Sequence, residues 1–462
     1  MADPGAAAPD RLELLRLLRQ SNFDELDVQL KQYRDDYQAG NISDHIVEQA
    51  YQSFASADPD LEPKLNEWIA TRPDSHSARM ARALFYQKLG LISRGYALSR
   101  KTPDERFAAM RDYLDLAGSD FSAALELNPR LSIAYGSLIL IAMMRGDDAA
   151  SDSLVRKGLE ADSRSFVIRR RYLFSLVPWW RGVSSPSDGS NPYMSLLREW
   201  LGAEDRIEVP KSIQRFVAEI EQDAVDNPVL EPLKGFGDYV IADLLSRQDR
   251  REEAAEYFEK ALRFGDYWWY LYRQGYNYFR LNRFDDAVAS YTRALEAWPQ
   301  VPDTLDWRAR SLRKLNQLDR AFADWDLALS VDPRNPIILV QVAYALRQVK
   351  RYDDALSTLD RALLYGAHDD DVRDARGRIL LYELNRPADA ILDLERATQL
   401  DPGSNKYWYN YGLALYRTKD CKAVEALSTY RKVCEAGARC TKTNMAWAAE
   451  VIEYLRNPRI CP

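Results

Sequence analysis

Two columns of alanine run in lockstep through the C-terminal half of this chain. Ala254, Ala287, Ala321, Ala355 and Ala390 are separated by 33, 34, 34 and 35 residues, and Ala261, Ala294, Ala328, Ala362 and Ala397 step by the same four intervals. Between them lies a column of large apolar residues, Phe258, Tyr291, Trp325, Leu359 and Leu394. Gly275, Ala309, Ala343 and Gly412 supply a small residue in the preceding segment, and Pro299, Pro333 and Pro402 stand five residues past their alanine, where a proline ends a helix. A period of this length means one supersecondary unit per repeat, and such a unit buries its apolar face only by stacking on its neighbours. Gly and Pro are sparse (20 and 21 of 462 residues), and no run of alternating strands bounded by turn dipeptides occurs. The pattern predicts an all-α chain, an α-solenoid of helical hairpins.

These residues resemble the tetratricopeptide repeat, a helix-turn-helix unit that stacks into a superhelix. The resemblance covers residues 235–436 as five good repeats and a worn sixth, in which Val424 and Arg431 take the places of the two alanines. Upstream the signature persists in degenerate form as Ala117, Phe121, Ala124 and Pro129, then Ser151, Val155, Gly158 and Ser163. Leu12, Leu15 and Leu18, then Phe23, Leu26 and Leu30, carry helical periodicity near the start, with Pro59, Pro63 and Pro73 as breakers. Ser184 to Pro192 reads as a loop. The expected organisation is a disordered 1–10, an N-terminal helical domain over 11–183, a loop and connecting helices over 184–234, the repeat array over 235–436, and a capping helix and tail over 437–462, giving two lobes. The stretch from Arg72 to Leu201, with Arg72-Pro73-Asp74-Ser75, Ala83 to Gly95, Arg170-Arg171-Tyr172-Leu173, Pro178, Trp180, Gly182 and Met194, is similar to an uncharacterised bacterial family in which a helical domain of unknown function precedes such repeats. Arg181 stands where that family tends to have Gly.

The resemblance implies that the first helix of each hairpin lines a concave groove, through positions 2, 5, 9, 12 and 13 of repeats starting near 235, 268, 302, 336, 370 and 405. Those positions carry the aromatics Tyr239, Trp269, Tyr272, Tyr276, Tyr344, Tyr382, Tyr409 and Tyr416 and the cations Arg247, Arg280, Arg310, Arg313, Lys314, Arg347, Arg378 and Arg417. Acidic residues are fewer: Asp243, Asp303, Asp306, Asp371 and Asp374. Arg offers a bidentate fork for carboxylates and Tyr or Trp offer flat area at low entropy cost, so the expected ligand is a protein partner or an extended acidic peptide. Against this, Asp306–Arg310 and Asp374–Arg378 are i,i+4 pairs able simply to support their own helices. The family's chaperone-binding carboxylate clamp is absent, since Tyr272/Tyr276 and Asp306/Arg310 occupy its Lys and Asn positions. Within Tyr267-Trp268-Trp269-Tyr270-Leu271-Tyr272, Trp268 and Leu271 are expected in the core, and Trp269 and Tyr272 at the surface.

Other functions find little support. Net charge is −7, 63 basic against 70 acidic residues, so no global basic field exists to hold a nucleic acid. Leu131 to Met144, the longest charge-free stretch of the repeat-poor half, is 14 residues and too short to span a bilayer. The three histidines, His45, His76 and His368, form no metalloprotease motif, and no nucleophile elbow or phosphate loop occurs. His368-Asp369-Asp370-Asp371 reads as helix capping, so no metal and no cofactor is expected. The expected function is a non-catalytic scaffold or adaptor. A carbohydrate-binding solenoid of an envelope or exopolysaccharide system is the alternative, and an enzyme sited near Trp179/Trp180 a third reading.

All four cysteines fall in the last 42 residues: Cys421, Cys434, Cys440 and Cys461. None forms a C-x-x-C pair, which disfavours zinc and favours disulfides. Cys421 and Cys434 lie near opposite ends of one predicted helix, about 20 Å apart, too far to bond each other. Gly437 would turn the chain into a final antiparallel helix, about Lys442 to Arg456, which predicts Cys434–Cys440 and Cys421–Cys461. Disulfides favour a periplasmic or secreted location. The N-terminus shows no cationic start or apolar core of a signal peptide, so a cytoplasmic protein is the alternative.

Overall fold

The computed structural model describes residues 8–94, 104–177, 209–365, 369–438, 440–457 and 459–461. Every regular element among them is helical. Six hairpins follow the repeat: Phe236–Arg247 with Arg251–Leu262, Trp268–Arg280 with Phe284–Ala297, Pro302–Lys314 with Leu318–Val331, Pro336–Gln348 with Tyr352–Leu364, Asp369–Arg378 with Pro387–Leu400, and Asn405–Arg417 with Ala423–Glu435. Their first helices begin within one residue of the starts read from the alanine columns. In the fifth hairpin the first helix passes into a π-helical turn, Ile379–Glu383.

The columns are core. The ten alanines and the five large residues between them are at most 1% exposed. Small residues on the first helix admit large ones from the second: a Cβ on Gly275 would stand 2.8 Å from Tyr291, and one on Gly377 would stand 2.7 Å from Leu394. Gly377, one repeat after Ala343, is a member of this column that the sequence reading passed over. The sixth repeat needs a correction of register. Ala423, Leu427 and Tyr430, not Val424 and Arg431, take the column positions and are buried, and Gly412 faces Leu427. The last interval is therefore 33, the same as the first, and only the second alanine is replaced.

Each hairpin turns through one residue with left-handed backbone: Asp249, Asn282, Asn316, Lys350, Asn385 and Lys419. Asn and Asp tolerate this conformation because their short side chains hydrogen-bond locally, and Lys has no such compensation.

The chain divides into two compact units, residues 1–333 and 334–462. Unit 1 joins the N-terminal helices to the first three hairpins, so the expected boundary at 184–234 lies inside it. Arg11 donates to the carbonyl of Gln300, Gln49 to that of Ala297 at 3.2 Å, and Ser56 to Asp332 at 3.4 Å. Ala117, Phe121 and Ala124 are buried on the helix Asp104–Leu127, and Ser151, Val155 and Gly158 on Asp148–Ala161, as the worn repeats require. Unit 2 holds the last three hairpins and the terminal helix Lys442–Leu455, which packs its Val451, Ile452 and Leu455 into the same core as Leu427 and Tyr430. The cysteines come together as Cys421 with Cys461 and Cys434 with Cys440, Cα atoms 5.6 and 5.8 Å apart. Pro458 and Pro462 flank that tail outside the described residues.

Candidate functional site

In unit 1 the helix Trp268–Arg280 sets Trp269, Tyr272 and Tyr276 three and four residues apart, so their rings line one face. Trp269 stacks on Tyr272 at 5.4 Å, Tyr276 meets Trp307 edge-on at 4.9 Å, and Arg310 lies over Trp307 at 4.5 Å. Arg280 is exposed and donates to the Tyr276 hydroxyl at 3.2 Å; Lys314 is exposed, and Arg313 is half-buried. Tyr239 is not part of this face. It is buried, stacks on Tyr270 at 4.7 Å and accepts a 2.9 Å bond from the Trp269 indole, so it braces the ladder from behind. Leu271 is core as expected, but Trp268 is only half-buried.

Several cations are already engaged. Arg247 donates to Asp243 at 2.9 Å, and Arg273, at a repeat position outside the groove template and so missed, pairs with the other oxygen. Burial opposes ionisation of Asp243, yet Arg273 and Arg247 together hold its pKa below the usual range. Arg310 pairs with Asp306, whose other oxygen accepts from Trp325 at 2.9 Å. Burial pushes Asp306 up in spite of these partners. The i,i+4 pair expected at Asp306–Arg310 thus forms, and Asp243–Arg247, which was not among the expected pairs, forms as well.

Unit 2 repeats this theme around Asp374, fully buried on the helix Asp369–Arg378. Lys406 approaches it at 2.7 Å, Asn410 donates to it at 2.7 Å, and Arg378 stands at 3.9 Å. Burial raises its pKa against the pull of Lys406. Lys406 occupies position 2 of the sixth repeat and was legible by the same template. Tyr382 donates to Asn410 at 2.8 Å, Arg417 donates to the Leu381 carbonyl at 2.7 Å, and Arg347 is tied to Glu383 at 2.6 Å. Tyr344 is half-buried, and burial raises its pKa. Tyr409 and Tyr416 pack on Trp447 of the terminal helix at 5.4 and 5.8 Å, which makes them seats for the cap. Asp371 accepts from Tyr407 at 2.8 Å.

Among the described residues no group of three or more His, Cys, Asp or Glu is placed to hold a metal, and no helix is long and apolar enough to cross a membrane. His368 and the Trp179/Trp180 loop lie outside the described residues.

Repeating hairpins with small-against-large packing define a tetratricopeptide-type α-solenoid. The family profile of the tetratricopeptide repeat matches residues 239–302, 272–325, 308–372 and 379–438. A second profile, a domain of unknown function (DUF4034), matches residues 10–149. The chain thus carries tetratricopeptide repeats on its C-terminal side and a match to that domain on its N-terminal side. This match begins upstream of the similar stretch Arg72 to Leu201, takes in the first helices and ends before 150–201. No curated protein matches the chain. Solved structures similar to it include a tetratricopeptide repeat protein of Parabacteroides merdae (16% identity, 57% of this chain and 99% of that one, TM-score 0.40). PilF of Pseudomonas aeruginosa (18%, 46% and 88%, 0.37) is another. A third is YrrB, described as having an unusual peptide-binding site (20%, 42% and 99%, 0.33).

Proposed function

We propose that this chain is a non-catalytic scaffold or adaptor that engages a protein partner, or an extended acidic segment of one, along the first helices of its repeats. The observation that supports this is the ladder Trp269, Tyr272, Tyr276 and Trp307, flanked by the exposed cations Arg280 and Lys314. Flat aromatics and Arg are the residues that carry binding energy at protein interfaces. Arg310 is a poor probe of this reading, because its loss strands the buried Asp306. Arg280→Ala with Lys314→Ala avoids that. Fluorescence anisotropy with a panel of acidic peptides should show binding by the wild type and a loss of about tenfold or more in the double variant. Equal affinity for both would move the function off this face. Trp269→Ala with Tyr272→Ala, titrated with acidic polysaccharides, tests the rival reading, in which the stacked rings hold sugars.

The cysteine pairs support an oxidising compartment, periplasmic or extracellular. Mass spectrometry of the unreduced native protein after alkylation should then show no alkylated cysteine. Four alkylated cysteines would place it in a reducing compartment.

A further inference from the structure

Unit 1 contains a cavity of about 290 Å³, enclosed by its N-terminal helices and its second and third hairpins. Its described lining includes the aromatics Trp268, Trp269, Trp298 and Phe174, and Trp268 meets Trp298 edge-on at 4.7 Å. The same lining includes the cations Arg11, Lys88, Arg170 and Arg171 and the carboxylates Glu48, Asp303 and Asp332.

Among the described residues, Arg11 has no carboxylate in contact with it. Glu48 takes both Arg170, at 2.7 Å, and Arg171, at 3.4 Å. Arg11 is 6% exposed. It donates only to backbone carbonyls, Gln52 at 2.7 Å and Gln300 at 3.3 Å, and its Nε has no hydrogen-bond partner. Asp332 and Asp303 act on it through their field without forming an ion pair, and burial pulls its pKa down to about 10. A buried cation without a contacting anion is costly to keep. Trp268 Nε1, Trp298 Nε1 and Arg171 Nε are also buried donors without partners, against the acceptors Glu48 Oε2 in the lining and Gln300 Oε1 on the residue whose carbonyl takes Arg11. Buried polar groups are normally paired, so four unpaired donors on residues that line one cavity call for an acceptor.

We propose that this cavity binds a small organic monoanion with a flat aromatic body, its carboxylate on Arg11 and its ring against Trp268 and Trp298. Asp332 and Asp303, whose field already acts on Arg11, penalise a phosphate dianion more than a single carboxylate, and the volume lies at the small end of ligand pockets, of about 300 Å³ upward. The site shares Trp269 with the ladder, but Arg11, Trp268 and Trp298, which would hold the ligand, are not part of that face.

Calorimetric titration of the full chain with 2-naphthoate, neutral 2-naphthalenemethanol and 2-naphthyl phosphate tests it. The carboxylate should bind one-to-one, at least about tenfold tighter than either analogue. Arg11→Met should remove that preference and leave binding of the alcohol and of acidic peptides unchanged. Because Arg11 also ties two carbonyls, circular dichroism must show the variant folded. Asp303→Asn supplies a second arm that leaves the guanidinium contacts intact and, by removing a competing negative charge, should tighten 2-naphthoate several-fold. No heat with any of the three probes overturns the proposal, as does equal 2-naphthoate affinity in the wild type, Arg11→Met and Asp303→Asn proteins. Tighter binding of the phosphate overturns the choice of a monoanion.

Discussion

The two units bury charge in opposite ways. In unit 2 the carboxylate of Asp374 is surrounded by Lys406, Asn410 and Arg378. In unit 1 the guanidinium of Arg11 has backbone carbonyls and an unpaired Nε beside a cavity. A buried charge that its own chain compensates belongs to the scaffold, whereas one left uncompensated is available to a ligand. The same contrast holds elsewhere. Unit 2 carries all four cysteines, at the end where a solenoid exposes its last apolar face, while unit 1 has none. Unit 1 fills the left-handed turns within its three hairpins with Asp249, Asn282 and Asn316; unit 2 uses Lys at two of three.

Four measurements would break or sharpen this contrast. The largest effect belongs to the cap. Cys421 and Cys461 are 40 residues apart and Cys434 and Cys440 six, so loop entropy assigns about 4 kcal/mol to the first pair and about 2 kcal/mol to the second. In urea unfolding, replacing both members of the first pair by Ser should lower stability more than replacing those of the second, and hydrogen exchange should confine both losses to unit 2. Next comes the compensated charge. Asn410→Ala leaves Asp374 and the Tyr382 hydroxyl each short of a partner, at a cost of about 2–3 kcal/mol. A loss below about 0.5 kcal/mol would show that Lys406 alone satisfies Asp374.

An acid-sensitive element of unit 1 is His76, whose pKa burial and the Arg34 guanidinium beside it push down to about 4. The ring is neutral in the fold and protonates near pH 6.5 when unfolded, so its contribution is complete above pH 6.5 and is lost as pH falls towards 4. Discounted for its partial exposure, the loss at pH 5 is about 1 kcal/mol. The difference in stability between pH 7 and pH 5 should shrink by that amount in His76→Gln. The smallest effect is at the turns. Lys350→Asn relieves a left-handed lysine and should gain about 0.5–1 kcal/mol, a benefit that Asn316→Lys in unit 1 should reverse.

Much of the fold was legible because its determinants are local and repeat. The columns at Ala254 and Ala261 placed six helix starts to within a residue, and Gly437 with the helical rise between Cys421 and Cys434 was enough to suggest how the cysteines meet. The register of the sixth repeat slipped because Tyr430 fills a place held by alanine in every other repeat. The candidate face was only partly legible. The template of repeat positions found Trp269, Tyr272 and Tyr276, but says nothing of depth, and so included Tyr239, which lies behind the face. It also left out Arg273, which competes for Asp243.

What the sequence determined by itself is the repeating hairpin, since small, large and proline positions at a period of about 34 act on immediate neighbours in the stack. Only the tertiary structure decided the cavity of unit 1. Arg11 reaches Gln300 across a separation of 289 residues, and Glu48 meets Arg170 across 122. No periodicity links such positions. A charge becomes unpaired only once the whole fold has settled which groups are left near it.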